Sequence, residues 1–140
     1  MARNELIEKL SEQLNLEVIT YLCYTLQATF IRGAQYESVR KMYLSEVMDE
    51  VSHAQYLLNQ IVILGGKPVL TPDQSAHSKE IKKILKNDGA RQSMDVNNYT
   101  SLTAHTEKAQ LIALKIKMEK QATDDDGHIH EMRRLLSGIC

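Results

Sequence analysis

Long stretches without a helix breaker constrain this chain more than any other feature. Its 140 residues include six Gly and two Pro, the latter at Pro68 and Pro72. From about residue 4 to residue 32 neither occurs, and the run stops at Gly33, a residue type suited to the turn that ends a helix. Within the run Leu10, Leu14, Glu17, Tyr21, Tyr24, Ala28 and Ile31 alternate spacings of four and three, the period of a helix packed in a bundle. A second run, from about residue 36 to residue 64, ends at Gly65-Gly66 ahead of Pro68. It repeats the spacing through Tyr43, Val47, Glu50, Ala54, Leu57, Ile61 and Leu64. Two such helices joined by a few residues lie antiparallel. A many-stranded sandwich or barrel needs turn residues far more often than this chain supplies them.

Residues 67–78 carry both prolines and read as a crossover too long for a tight turn, so the third helix starts parallel to the second. Helical signal resumes at Ser78 and runs through Ile81, Ile84 and Leu85. The third segment presents Gln92, Val96, Tyr99 and Thr103, and the fourth Leu114, Met118, Gln121, Asp125, His128, Met132 and Leu135. The turn between them, near residues 106–110, contains no Gly or Pro. The cluster Lys79, Lys82, Lys83 and Lys86 reads as the wet face of a short amphipathic turn. The expectation is a single all-α domain over residues 1–140, an antiparallel four-helix bundle with one long crossover between helices two and three.

The net charge of -1, with no basic tail, gives no electrostatic reason for nucleic-acid binding. The longest strongly apolar stretch near the middle, Ile61-Val62-Ile63-Leu64, is far too short to span a bilayer, and the polar start is unlike a signal peptide. Cys23 and Cys140 form no CxxC and no disulfide framework, which points to a reducing, cytoplasmic compartment.

The informative residues are polar ones on apolar seams. Glu17, Glu50, Asp125 and His128 all fall in line with core residues. An unpaired buried carboxylate is expensive, and a bound cation is the economical common explanation. Glu50 and His53 form Glu-x-x-His, and residues three apart share a helix face. Asp125 and His128 repeat that spacing on the fourth helix. A lone ExxH is a weak signal, but the spacing across the two halves is stronger. Glu17 to Glu50 is 33 residues and so is Gln92 to Asp125; Glu17 to His53 is 36 and so is Gln92 to His128. The halves therefore carry one pattern, which indicates a pseudo-twofold site and marks Gln92 as the third helix's contribution. Carboxylate with imidazole suits iron(II), manganese or zinc, and a bridging carboxylate suits a pair of ions.

With these residues in view the chain resembles the ferritin-like superfamily, and within it the bacterioferritins. The resemblance rests on Leu14-Asn15-Leu16-Glu17, Asp49-Glu50-Val51-Ser52-His53-Ala54, Ile63-Leu64-Gly65-Gly66-Lys67-Pro68 and Asp125-Asp126-Gly127-His128-Ile129. It implies a di-iron site with Glu17 and His53 as terminal ligands to one ion and Glu50 and Asp125 as bridges. His128, with Gln92, would hold the second ion. Tyr24 matches a Tyr that usually lies beside the iron pair and would supply an electron or orient an oxygen intermediate. Three departures stand out. Gln92 replaces a Glu, Asp125 is one methylene shorter than the family's second bridge, and Val51 replaces the Met that ligates haem. No haem is expected. The family's short fifth helix is missing at Cys140, so the implied homo-oligomer is a dimer or a larger cage.

Two readings of different class follow. One is a ferroxidase that binds iron(II), oxidises it with oxygen or peroxide and sequesters the product; manganese or zinc is not excluded by the ligand set. The other is a structural or partner-binding ferritin-like protein with one weak metal site or none. An oxygenase or peroxidase acting on organic substrates is a third possibility. Because the C–D half offers one carboxylate fewer, its ion is expected to bind more weakly than the first.

Overall fold

The computed structural model describes residues 2–71 and 80–139. Four helices fill it: α1 Ala2–Phe30, α2 Glu37–Ile63, α3 Ile81–Lys108 and α4 Ile112–Ser137. A short 3-10 turn, Ala34–Tyr36, links the first two. No helix among the described residues is long and apolar enough to cross a membrane. The expected boundaries differ from the observed ones by a few residues at each end. Most of the expected crossover, with Pro72, His77, Ser78 and Lys79, lies outside the described residues. The lysines 82, 83 and 86 sit on the exposed face of α3 itself, a full helix rather than a short turn.

Cross-helix contacts fix the directions. Glu17 on α1 faces Glu50 and His53 on α2, while Tyr24 stacks edge-on against Tyr43. Ascending numbers on one helix meet descending numbers on the other, so α1 and α2 are antiparallel. On α1 Gln13 meets Asp95 and Gln27 meets Asp88, so α3 also runs antiparallel to α1 and hence parallel to α2. His53 near Asp124 and Asp49 near His128 set α4 antiparallel to α2.

Each helix end has a local cause. After α2, the Gly66 N–H donates to Ile61 O at 2.8 Å and Gly65 takes a φ of 90°. That six-to-one closure requires a left-handed residue, which Gly supplies without strain. A Cβ on Gly66 would meet Ile7 Cγ2 at 2.7 Å, so the backbone itself packs against α1 there. The end of α3 makes the same closure, Leu111 N–H to Thr106 O at 3.0 Å, with Gln110 at a φ of 59°. The turn without Gly or Pro is therefore the same motif made with a non-glycine residue. It carries a conformational cost of roughly 1 kcal/mol.

The core is two apolar clusters with a polar layer between them. One contains Leu6, Leu10, Leu14, Leu57, Ile61, Leu102, Leu114 and Met118. The other contains Tyr24, Ile31, Val39, Tyr43, Ile84, Leu85 and Met132. Each fully buried leucine contributes roughly 2 kcal/mol, and the two clusters together offset the cost of burying what lies between. On α3 the inward positions are Gln92, Asp95, Tyr99, Leu102 and Thr106. The expected Val96 and Thr103 are only half-buried on the flank. With 3.6 residues per turn either register follows Gln92, and the one that buries a carboxylate is taken.

Candidate metal centre

Six of the residues singled out from the sequence converge in the polar layer. Glu17, Glu50, Gln92 and Asp125 have no solvent exposure, and His53 is buried with them. His128 is half-buried at the edge of the layer. Glu50 occupies the middle. Its Oε2 lies 3.6 Å from His53 Nδ1, and its Oε1 lies 3.8 Å from His128 Nδ1. One carboxylate thus faces an imidazole from each hairpin. Glu17 Oε2 approaches His53 Nδ1 at 3.8 Å, and Asp125 Oδ1 approaches His128 Nδ1 at 3.7 Å. Two groups of donor atoms within metal-binding reach result, Glu17–Glu50–His53 and Glu50–Asp125–His128.

The outer nitrogens of the two rings are matched as well. His128 Nε2 lies 3.4 Å from Asp49 Oδ2, and His53 Nε2 lies 4.0 Å from Asp124 Oδ2. A carboxylate on the outer nitrogen favours a proton there, which leaves the inward nitrogen's lone pair for a cation. These partners obey the same internal repeat as the ligands. Asp49, Glu50 and His53 each recur 75 residues later as Asp124, Asp125 and His128. Sequence reading took Asp124 for part of a solvated acidic run; a repeat search at that period finds both aspartates.

Tyrosines complete the pseudo-twofold. Glu17 and Tyr24 recur 75 residues on as Gln92 and Tyr99. The Gln92 amide donates to the Tyr24 hydroxyl at 2.7 Å, and the Tyr99 hydroxyl donates to Glu17 Oε1 at 2.5 Å. Each hairpin's tyrosine is tied to the other hairpin's first ligand position. Tyr99, expected to be an ordinary core aromatic, is thus the counterpart of Tyr24. Burial raises both phenols well above their usual range, so both stay protonated.

One residue was missed outright. Asp95, one turn beyond Gln92, forms a third group with Glu17 and Asp125. Its position three residues from Gln92 on the same face was the available signal. The expectation of a C–D half short of a carboxylate is corrected by its presence: the layer holds Glu17, Glu50, Asp95 and Asp125. At full ionisation these balance two divalent ions.

The energetics favour cation binding. Burial, then the charge of Glu17 and Asp95, pushes the Asp125 carboxyl up to about 9. Burial and the charge of Glu17 push Asp95 up to about 7. Burial lowers His128. Burial also pulls His53 down, but Glu17, with Asp125 and Asp124, outweighs it and leaves the ring raised. Both oxygens of Glu50 and of Asp125, Glu17 Oε2, Asp95 Oδ2 and the inward Nδ1 of both histidines have no hydrogen-bond partner among the described residues. Buried polar atoms are normally paired, so this concentration of orphans fits a cation that would satisfy them together.

Comparison with known proteins agrees with this geometry. No curated protein matches the chain. Among solved structures it resembles ferritin-like, diiron-carboxylate proteins from Bacillus anthracis, with a TM-score of 0.92 and 26% identity over 97% of this chain and 98% of that one. Rhodobacter capsulatus bacterioferritin, described with a metal-free dinuclear site and haem iron, superposes with a TM-score of 0.87 at 21% identity, covering 96% and 84%. Dps from Thermosynechococcus elongatus superposes with a TM-score of 0.86 at 13% identity, covering 96% and 92%. The model of the ferritin-like domain matches residues 7–139, nearly the whole chain, and the chain accordingly belongs to the ferritin-like family.

Proposed function

We propose that the chain binds iron(II) as its substrate in the polar layer, oxidises it with oxygen or peroxide, and sequesters the product. The observation that carries this reading is Glu50, a fully buried carboxylate with one oxygen facing an imidazole of each hairpin. That arrangement suits a bridge between two ions. Glu17 and His53 are the terminal ligands of the first ion; Asp125 and His128, with the Gln92 amide oxygen nearby in sequence register, serve the second. Iron(II) bound there would supply the electrons that reduce oxygen. The protein's own part is to hold the donors, to keep the imidazoles oriented through Asp49 and Asp124, and to release the Asp125 proton as a cation enters. Tyr24, hydrogen-bonded to Gln92 beside the layer, is the residue read as electron donor or orienting group.

The working unit is a single domain of residues 1–140, cytoplasmic, without haem, and assembled as a homo-oligomer. Support for assembly comes from apolar side chains on the outer faces of α1 and α2. Leu22, Leu26, Leu44, Met48 and Val51 are each at least 40% exposed. Ile63 is exposed too, whereas Leu58, expected beside it on the outer face, packs half-buried against the core. Exposed apolar area of that kind on a small protein marks an interface.

The test is an anaerobic titration with iron(II) followed by oxygen, reading bound iron and oxygen uptake. Two irons per subunit with stoichiometric oxygen consumption is the expected result. No iron bound under anaerobic conditions would replace this reading with the structural, partner-binding one.

A further inference from the structure

The internal repeat calls for a carboxylate at position 92, and the chain carries it at 95 instead. The symmetry mate of Asp95 is Thr20, so the acid has no equivalent in the other half. One oxygen each of Glu17, Asp95 and Asp125 lie within 4.8 Å of one another. All three residues are 2% exposed or less. A separate observation marks the spot. Gln13, itself 2% exposed, reaches into the cluster, with Nε2 donating to Glu17 Oε1 at 3.0 Å and to Asp95 Oδ1 at 3.2 Å. Its Oε1 is buried and has no partner among the described residues. A buried amide oxygen without a donor is an anomaly that a cation beside the three carboxylates removes.

We propose that Glu17, Asp95 and Asp125, with the Gln13 amide oxygen, form a further, all-oxygen cation position on the α1–α3–α4 side of the layer. With no imidazole or thiolate in the set, it takes hard ions, trivalent or divalent. The position shares Glu17 with one imidazole-bearing group and Asp125 with the other. An ion there draws on the same four carboxylates and competes with its neighbours. The inference rests on the reading of Glu17 and Asp125 as metal ligands but not on iron oxidation.

Terbium(III) and cobalt(II) separate the two kinds of position. Terbium is hard and oxygen-seeking, and its emission is sensitised by a nearby phenol; Tyr99 donates to Glu17 at 2.5 Å. Cobalt(II) accepts imidazole and reports it in its visible spectrum. Removing a direct ligand with Asp95→Asn should weaken sensitised terbium binding at least about 100-fold, while leaving cobalt affinity within about threefold. A His53→Ala/His128→Ala protein should do the reverse. Should Asp95→Asn fail to fold by circular dichroism, Gln13→Met carries the same comparison, because it removes the amide and keeps every carboxylate. Terbium binding unchanged by these substitutions, or lost with the two histidines, overturns the proposal. If the unmodified protein binds cobalt but not terbium, this position alone fails; if it binds neither ion, the metal-centre reading fails with it.

Discussion

Replacing Asp125 with Asn should change how the stability of the metal-free protein depends on pH. Burial, with Glu17 and Asp95 close by, moves the carboxyl from an ordinary value of 3.8 to about 9. The folded-state value is raised, so the group's stabilising contribution is fully present below about pH 4. It is lost as pH rises toward 9, because the unfolded chain gives up its proton early and the folded chain holds it. Each pH unit in that window costs about 1.4 kcal/mol for one retained proton. Asn cannot ionise and removes this slope. Between pH 5 and pH 7 the stability of Asp125→Asn relative to wild type should therefore rise by about 3 kcal/mol. The assay is urea unfolding in a chelator at pH 5, 6 and 7, followed by far-ultraviolet circular dichroism. A divalent metal should then reverse the ranking. At a hundredfold excess over its dissociation constant it stabilises the wild type by about 2.7 kcal/mol, and the variant, lacking a ligand, by less. Parallel stability curves for the two proteins between pH 5 and pH 7 would refute the claim that Asp125 is held protonated in the layer.

Other perturbations read other parts of the molecule. Glu50→Ala removes the donor common to both imidazole-bearing groups, so calorimetric titration with zinc should lose both binding events; one event of unchanged affinity contradicts the bridge. Tyr99→Phe strips a buried hydrogen bond from Glu17 and should destabilise the fold by about 1–3 kcal/mol in urea. Light scattering of the native protein should report a dimer or larger species, and Leu22→Glu with Met48→Glu should yield a monomer. The absorption spectrum of protein purified with haem supplied should carry no haem band, because the side chain at position 51 on the outer face of α2 is a valine.

The bundle was legible because its helices are long and its breakers few. Seams at spacings of four and three leave little freedom once Gly33 and Gly65-Gly66 mark the ends. The turn at Gln110 was placed only loosely, since a non-glycine residue in the left-handed region leaves no mark on composition. The first half of the metal centre was legible because Glu17, Glu50 and His53 interrupt apolar seams. The second half was read partly in the wrong register: Val96 was preferred to Asp95 on the principle that cores are apolar, in a layer where the core is not. Asp49, Asp124 and Tyr99 lay within reach of the 75-residue repeat but carry no signal as single residues. Gln13 could be recognised only from its contacts.

The three groups of donors divide unevenly between the two hairpins. Glu17–Glu50–His53 belongs entirely to α1 and α2, but each of the other two takes ligands from both hairpins. The layer consequently acts as a latch. Ionised and without a cation, four buried carboxylates press the hairpins apart across an interface with few other polar ties. With a cation they become cross-links between one half of the molecule and the other. A chain severed within the crossover should thus reassemble from its two hairpins far more readily in the presence of metal than in its absence, and the tightness of that reassembly would measure the centre without any turnover at all.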